Sequence, residues 1–198
     1  DSHTRYGALG TLAVGEGGPE LVKQLLNMTY DIMYPEVIAV ILKNAPKKGV
    51  GPHDVAIAII TEVFKNGFVK NKIMEFIGEG IASLPIEYRN GIDVMTTETA
   101  CLSSIWQTDS ETKNYFIRHG RPEAYKELKP SAVAYYDGAI IVDLAAIEPM
   151  IALPFHPSNG YKLKEVIENA SDIFAEVEKD CEKLFNGKVR LNLKNKIK

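Results

Sequence analysis

Val37-Ile38-Ala39-Val40-Ile41-Leu42 is a run of six apolar residues, four of them β-branched. A strand with one wet face would alternate polar and apolar residues. This run does not alternate, so it reads as a strand buried on both faces. Strands of that kind belong to parallel sheets with helices over each face. Working outward, Ala45 to Gly51 reads as a turn and Pro52 as the start of a helix reaching about Lys65. Proline is tolerated at the first helical position, and Asp54 suits the positive end of the helix dipole. Val55, Ile59, Ile60, Val63 and Phe64 form the apolar stripe of that helix. Lys72 to Gly78 is the next strand candidate, followed by a helix from Ile86 to Thr99 and a strand from Cys101 to Trp106. Thr108-x-x-Glu111 has the form of a capping box for a helix ending near His119-Gly120, and Ala139 to Leu144 is a further β-branched strand.

Toward the N-terminus, Gly7 to Val14 reads as a short small-residue helix. A second runs from Pro19 to Asn27 with Leu21, Leu25 and Leu26 on one face. Toward the C-terminus, Pro149, Pro154 and Pro157 imply a non-helical crossing. Ser171 to Phe185 is an amphipathic helix with Ile173, Phe174, Val177, Cys181 and Leu184 inward, and Val189 to Leu193 alternates as a strand. Strands alternating with helices give the α/β class. The expected unit is a three-layer α/β/α arrangement with a mostly parallel or mixed sheet. The strands near Val37, Ile73, Leu102 and Ile140 would share that sheet. No internal repeat or low-complexity segment interrupts it.

The composition is that of a globular protein, with 45% hydrophobic and 25% charged residues in 198. A net charge of −3 argues against a nucleic-acid or membrane-surface role, because both need a basic face. The basic stretch from Lys188 to Lys198 reads as a solvated end. The two cysteines, Cys101 and Cys181, have no C-x-x-C spacing and read as core thiols in a reducing, cytoplasmic setting. No apolar run reaches the ~18 residues of a spanning helix.

Chemistry concentrates at the start. Asp1-Ser2-His3-Thr4 places an acid, a hydroxyl and an imidazole side by side and leads into Tyr6-Gly7-Ala8-Leu9-Gly10, where glycine permits close backbone approach. Such groups bind carboxylates and move protons. Glu75, set between Met74 and Phe76 in a strand, either faces the solvated side of the sheet or, if buried, needs a partner. His3 is one of only four histidines available to it. His53 and His119 read as structural residues at helix ends, and His156, between Phe155 and Pro157, as an interface residue. Gly15-Glu16-Gly17-Gly18 lacks the order and the preceding strand of a dinucleotide loop.

These blocks together resemble the aconitase family, which includes the isopropylmalate dehydratases and homoaconitases. The resemblance rests first on DSHTRYGALGTLAVGEGG from Asp1. It continues in order through GVGPHDVAIAII from Gly49, KIMEFIGEGI from Lys72, SSIWQTDSET from Ser103 and IEPMIALPFHPSN from Ile147. It implies a hydro-lyase that dehydrates and rehydrates a hydroxy di- or tricarboxylate, with citrate and isocitrate through aconitate as the favoured substrates. It also implies a [4Fe-4S] cluster in the intact enzyme, one iron of which acts as a Lewis acid. Asp1, Ser2 and His3 fall on the family's substrate-binding motif, and His3 and Glu75 on its catalytic pair.

The cluster cysteines of the family have no counterparts in this chain, and Asp93-Val94 stands where some relatives have Cys-Asn. The chain therefore reads as a fragment, inactive alone and without a cluster of its own. Its expected partners are a small hydroxy-acid and the remaining domains of the same protein, with no nucleic acid and no membrane. Residues 1–35 would be part of a first domain, 36–150 the central α/β domain, and 151–198 part of a third. The alternative is a non-catalytic α/β ligand-binding or scaffold domain. RNA binding, as in iron-regulatory relatives, is disfavoured by the acidic balance.

Overall fold

The computed structural model describes residues 2–15 and 17–193. In chain order the elements are α1 (Gly18–Leu25), β1 (Val37–Lys43), α2 (Pro52–Val63), β2 (Ile73–Ile77), α3 (Ile86–Asp93), β3 (Ser103–Trp106), α4 (Ser110–Arg118) and β4 (Gly138–Asp143). A short hairpin follows, β5 (Met150–Ala152) and β6 (Gly160–Lys162), and then α5 (Leu163–Glu168) and α6 (Ala170–Leu184). Strands β3-β2-β1-β4 form one parallel sheet flanked by helices, so the four runs read from the sequence do share a sheet. The β-branched run lies in its interior, between β2 and β4.

Register explains the packing. Ile38 lies beside Met74, and Val40 beside both Phe76 and Ile140. With Leu42, Trp106 and Val142 they line the core face, on which only Ile140 of the edge strand is partly exposed and where the Phe76 and Trp106 rings stack at 4.2 Å. Val55, Ile59 and Val63 of α2 belong to this core. Alternate residues face the other way: Ile41, Glu75, Ile77 and Ile105 are only half-buried, and Ile141 on the edge strand is 63% exposed. The two faces of the sheet are thus unequally covered.

Gly78, directly after β2, has φ +108° and ψ 167°, a region open essentially to glycine alone. A Cβ there would lie 2.5 Å from the carbonyl oxygen of Leu42. Gly78→Ala is therefore expected to destabilise the protein by about 2–4 kcal/mol, from backbone strain and overpacking together. The urea midpoint reads this; an unchanged midpoint would mean that β1 and the turn can separate without loss.

Some local expectations are corrected. The opening helix is a single 3₁₀ turn, Gly7–Leu9, because its small residues press on β3 instead of coiling: a Cβ on Gly7 would meet Ser104 O at 2.5 Å. The helix expected from Ile86 to Thr99 ends at Asp93 and continues as a 3₁₀ segment, Val94–Thr99, whose threonine hydroxyls bond back to backbone. The cap of α4 is Asp109, which accepts from Glu111 N and Thr112 N, while Thr108 bonds to Lys126 O and Leu128 N. Val189 to Leu193 forms no strand, and the proline crossing holds the β5–β6 hairpin. Leu21, Leu25 and Leu26 are exposed, and no residue of α1 is buried among the described residues.

The hairpin seats on α2. Met150 N donates to Asp54 Oδ1 at 2.6 Å, and a Cβ on Gly160 would lie 2.1 Å from Thr61 Oγ1. A second, smaller hydrophobic cluster of Leu153, Val166, Ile173 and Val177 then holds α5 and α6 to the hairpin.

Candidate functional site

The opening segment is tied to the sheet rather than left loose. Ala13 N donates to Ser104 O, and Ser103 Oγ donates to Ala13 O. Gly7 N donates to Asp93 Oδ2 at 2.5 Å, and Trp106 Nε1 donates to Asp93 Oδ1 at 2.7 Å. Burial raises the pKa of Asp93, and the bonds it accepts from Ser104, Trp106, Gly7 and Ala8 only partly oppose that rise. Arg5 is also enclosed, its guanidinium donating to Sγ and O of Cys101. These anchors hold Ser2 and His3 at the N-terminal edge of the sheet. Asp1 lies outside the described residues.

His3 meets a carboxylate there, and it belongs to Glu98. Nε2 of His3 lies 2.9 Å from Glu98 Oε1, and Nδ1 lies 3.5 Å from Ser2 Oγ. The imidazole is 46% exposed and the carboxylate 22%, so the pair is open to solute yet half withdrawn from water. Glu98 sits in the 3₁₀ segment just before β3, which the left-handed Ala100 terminates. A second imidazole approaches from the hairpin loop: His156 Nε2 lies 3.7 Å from Glu98 Oε2. Beside the group is a cleft of about 400 Å³ lined by Phe64, Lys65, Asn66, Lys70 and Thr99.

The expected pairing of His3 with Glu75 is thereby corrected. Strand alternation turns Glu75 away from the Met74–Phe76 core and onto the half-buried face, where it neighbours Tyr136. Burial first, and then the Glu75 charge, raise the pKa of the Tyr136 hydroxyl. That hydroxyl is buried against the Glu75 carboxylate, its contact there looser than strict hydrogen-bond geometry. His53 is exposed in the first turn of α2, and His119 caps α4 with Nδ1 against Tyr115 O. His156, read from the sequence as an interface residue, joins the site. Glu98 was missed.

The residues present do not fit an iron–sulfur cluster. Cys101 and Cys181 are both buried, the first beneath Arg5 in the main core and the second in α6 with Sγ toward Val189 O. Among the described residues no three His, Cys, Asp or Glu side chains are grouped so as to hold a metal ion. Nor is any helix among them long and apolar enough to cross a membrane.

Residues 1–198 match the Aconitase family (aconitate hydratase) profile. The chain is similar to the 3-isopropylmalate dehydratase large subunit of Acetivibrio thermocellus, 30% identical over 84% of this chain and 39% of that protein. It is 33% identical to the same-named subunit of Picrophilus torridus, over 88% of this chain and 42% of that one. It is also 32% identical to aconitate hydratase A of Thermus thermophilus, over 84% of this chain and 20% of the relative. The chain thus spans about 40% of the length of the dehydratase subunits it matches. A sheet, an opening motif and a match running from the first residue to the last lead to one assignment: the chain belongs to the aconitase family.

Proposed function

We propose that the protein containing this chain is a hydro-lyase acting on a hydroxy di- or tricarboxylate, and that His3 and Glu98 handle a proton in that reaction. The observation that carries this reading is the 2.9 Å contact between His3 Nε2 and Glu98 Oε1 in a solvent-accessible position. A carboxylate on one imidazole nitrogen fixes the tautomer, with hydrogen on Nε2, and supports the ring when it takes up a second proton. Nδ1, beside Ser2 Oγ, is then the atom that exchanges a proton with substrate. Dehydration breaks a C–H bond beside a carboxylate, its proton passing to a base contributed by the rest of the intact protein, and a C–O bond on the next carbon. The C–H electron pair forms the alkene, and the hydroxyl leaves as water with the proton given up at His3 Nδ1. Protonation of the departing hydroxyl suits His3. Ser2 and Asp1 would hold substrate oxygens, and Lys65 and Lys70 of the neighbouring cleft offer cations for its carboxylates.

Glu75 takes a lesser part in this reading, as a residue that orders Tyr136 and the half-covered face. The [4Fe-4S] cluster implied by the resemblance would draw its cysteines from outside residues 1–198 and supply Lewis acidity to the substrate hydroxyl. Residues 1–35, 36–150 and 151–198 then correspond to parts of three successive domains of a cytoplasmic enzyme. The relatives are named for two substrates, and assay of the intact protein separates them. Alkene absorbance should appear with either 3-isopropylmalate or citrate, one of them preferred by at least about tenfold in kcat/KM, as a pocket built for one set of polar groups rejects the other. Turnover of neither would favour the non-catalytic scaffold.

A further inference from the structure

The Glu98 carboxylate is shared between two imidazoles, one on each oxygen. We propose that His156 is a positioning residue that orients Glu98 toward His3; this rests on the reading of His3 and Glu98 given above. The protonation pattern of His156 is set by its own loop. The backbone N–H of Ser158 points at His156 Nδ1 from 3.1 Å, and Ser158 Oγ lies 3.1 Å from the same nitrogen. A backbone donor aimed at Nδ1 requires a lone pair there, so the ring hydrogen of the neutral side chain lies on Nε2. Nε2 is the nitrogen that faces Glu98 Oε2 at 3.7 Å. Ser158 is itself only 3% exposed, which keeps water from competing for its contact with Nδ1.

The ring is also held in plane. It stacks on Phe64 with centroids 3.9 Å apart and 24° between planes. Phe64 caps α2, and α2 is the helix on which the hairpin sits through Gly160 and Asp54. The contacts that hold the His156 ring among the described residues thus come from Phe64 at the end of α2 and from Ser158 in the β5–β6 loop. With the His3 hydrogen bond on Oε1 and the His156 N–H facing Oε2 from 3.7 Å, an electrostatic contact longer than a hydrogen bond, rotation of the carboxylate about its terminal bond weakens both. Oε1 stays directed at His3 Nε2, and the proton-exchanging nitrogen of His3 stays directed away. In this way the C-terminal hairpin fixes the geometry of a residue near position 1.

The test uses the intact protein and two replacements. His156→Phe keeps a ring on Phe64 and removes both nitrogens; His156→Gln keeps an N–H donor of similar reach. His156→Phe should lower kcat about tenfold with KM little changed, the size and pattern expected when an outer partner orients a reacting group. His156→Gln should recover most of that loss. With ¹⁵N-histidine labelling, His3 should show one Nε2–H tautomer in the wild type and the glutamine form, and mixed signals in the phenylalanine form. If the phenylalanine form does not fold, His156→Met carries the same reading, since it also lacks a donor. Wild-type kcat and unchanged His3 signals in the donorless form would overturn the proposal, as would a loss that glutamine does not rescue. Failure of the underlying site looks different: Glu98→Gln would then also retain full turnover.

Discussion

Glu98→Gln is expected to lower kcat of the intact protein by about 10²–10⁴-fold, the range contributed by a positioned acid–base group. Glutamine has the same shape and can still present an oxygen to His3 Nε2, so the hydrogen bond at 2.9 Å can survive. What it removes is the negative charge. A neutral amide can orient the imidazole but cannot support it as a cation, so the loss should fall on kcat while substrate binding stays near wild type. Stability should move by less than about 1 kcal/mol, because an ion pair this open to water contributes little to folding. Steady-state kinetics beside a denaturant titration separates the two effects. Turnover within about threefold of wild type would make Glu98 a structural residue and remove the catalytic reading with it. Glu75→Gln, in parallel, should leave kcat nearly unchanged.

The contrast between Glu98 and Glu75 shows how far the sequence reaches. Val37 to Leu42, Ile73 to Ile77 and Ile140 to Val142 reveal themselves because burial on a sheet imposes a local apolar pattern, and the order of strands and helices then fixes the class. The site follows no such rule. Glu75 stood out because apolar residues flank it, yet period-two alternation alone would place it on the opposite face from Met74 and Phe76. Glu98 did not stand out, since it lies among threonines in a 3₁₀ segment with no periodicity to single it out. The hydroxyl bonds that shape this segment, from Thr96 to Asp93 O and from Thr99 to Thr96 O, form only in the folded chain.

Location misleads as well. Open α/β sheets commonly bind ligands at the carboxyl ends of their strands. Here those ends carry Asn44 bonded to both Glu79 and Asp143, its N–H donating to Glu79 Oε1 and its Nδ2 to Asp143 Oδ1 at 2.7 Å. The imidazoles and Glu98 gather instead at the opposite edge, where Asn71 N donates to Ala100 O ahead of β2 and β3. The opening segment and the hairpin both arrive at that edge, so contributions from the two ends of the chain converge on one carboxylate. His156 was readable as a contact residue from its prolines, but what it touches depends on the docking of the hairpin on α2, a long-range event.

Arg89→Met is expected to cost about 3–5 kcal/mol, the penalty of breaking a buried ion pair from one side. Arg89 is fully buried, and its guanidinium donates to both oxygens of Asp109, at 2.9 and 2.6 Å, and to the carbonyls of Leu84 and Ile81. Methionine fills much of the volume but leaves those carbonyls without a donor and Asp109 without its cation. Asp109 also caps α4, so the loss reaches the helix that follows β3. Burial alone would raise the pKa of Asp109; the Arg89 bond and charge, with the amides of Thr112 and Glu111, outweigh it and hold the carboxyl below its usual value. A depressed carboxylate stabilises the fold at pH values above its unfolded pKa and loses that contribution as pH falls through the folded one. Wild-type stability should therefore drop below about pH 4, and Arg89→Met should show a shallower drop in that window. The melting temperature should fall by roughly 6–20 °C for a chain of this size. Arg89→Met combined with Asp109→Leu should recover part of the loss, since a buried pair replaced as a whole by apolar groups can be nearly neutral. A single variant within about 1 kcal/mol of wild type would show that α3 and α4 are held by packing rather than by this guanidinium.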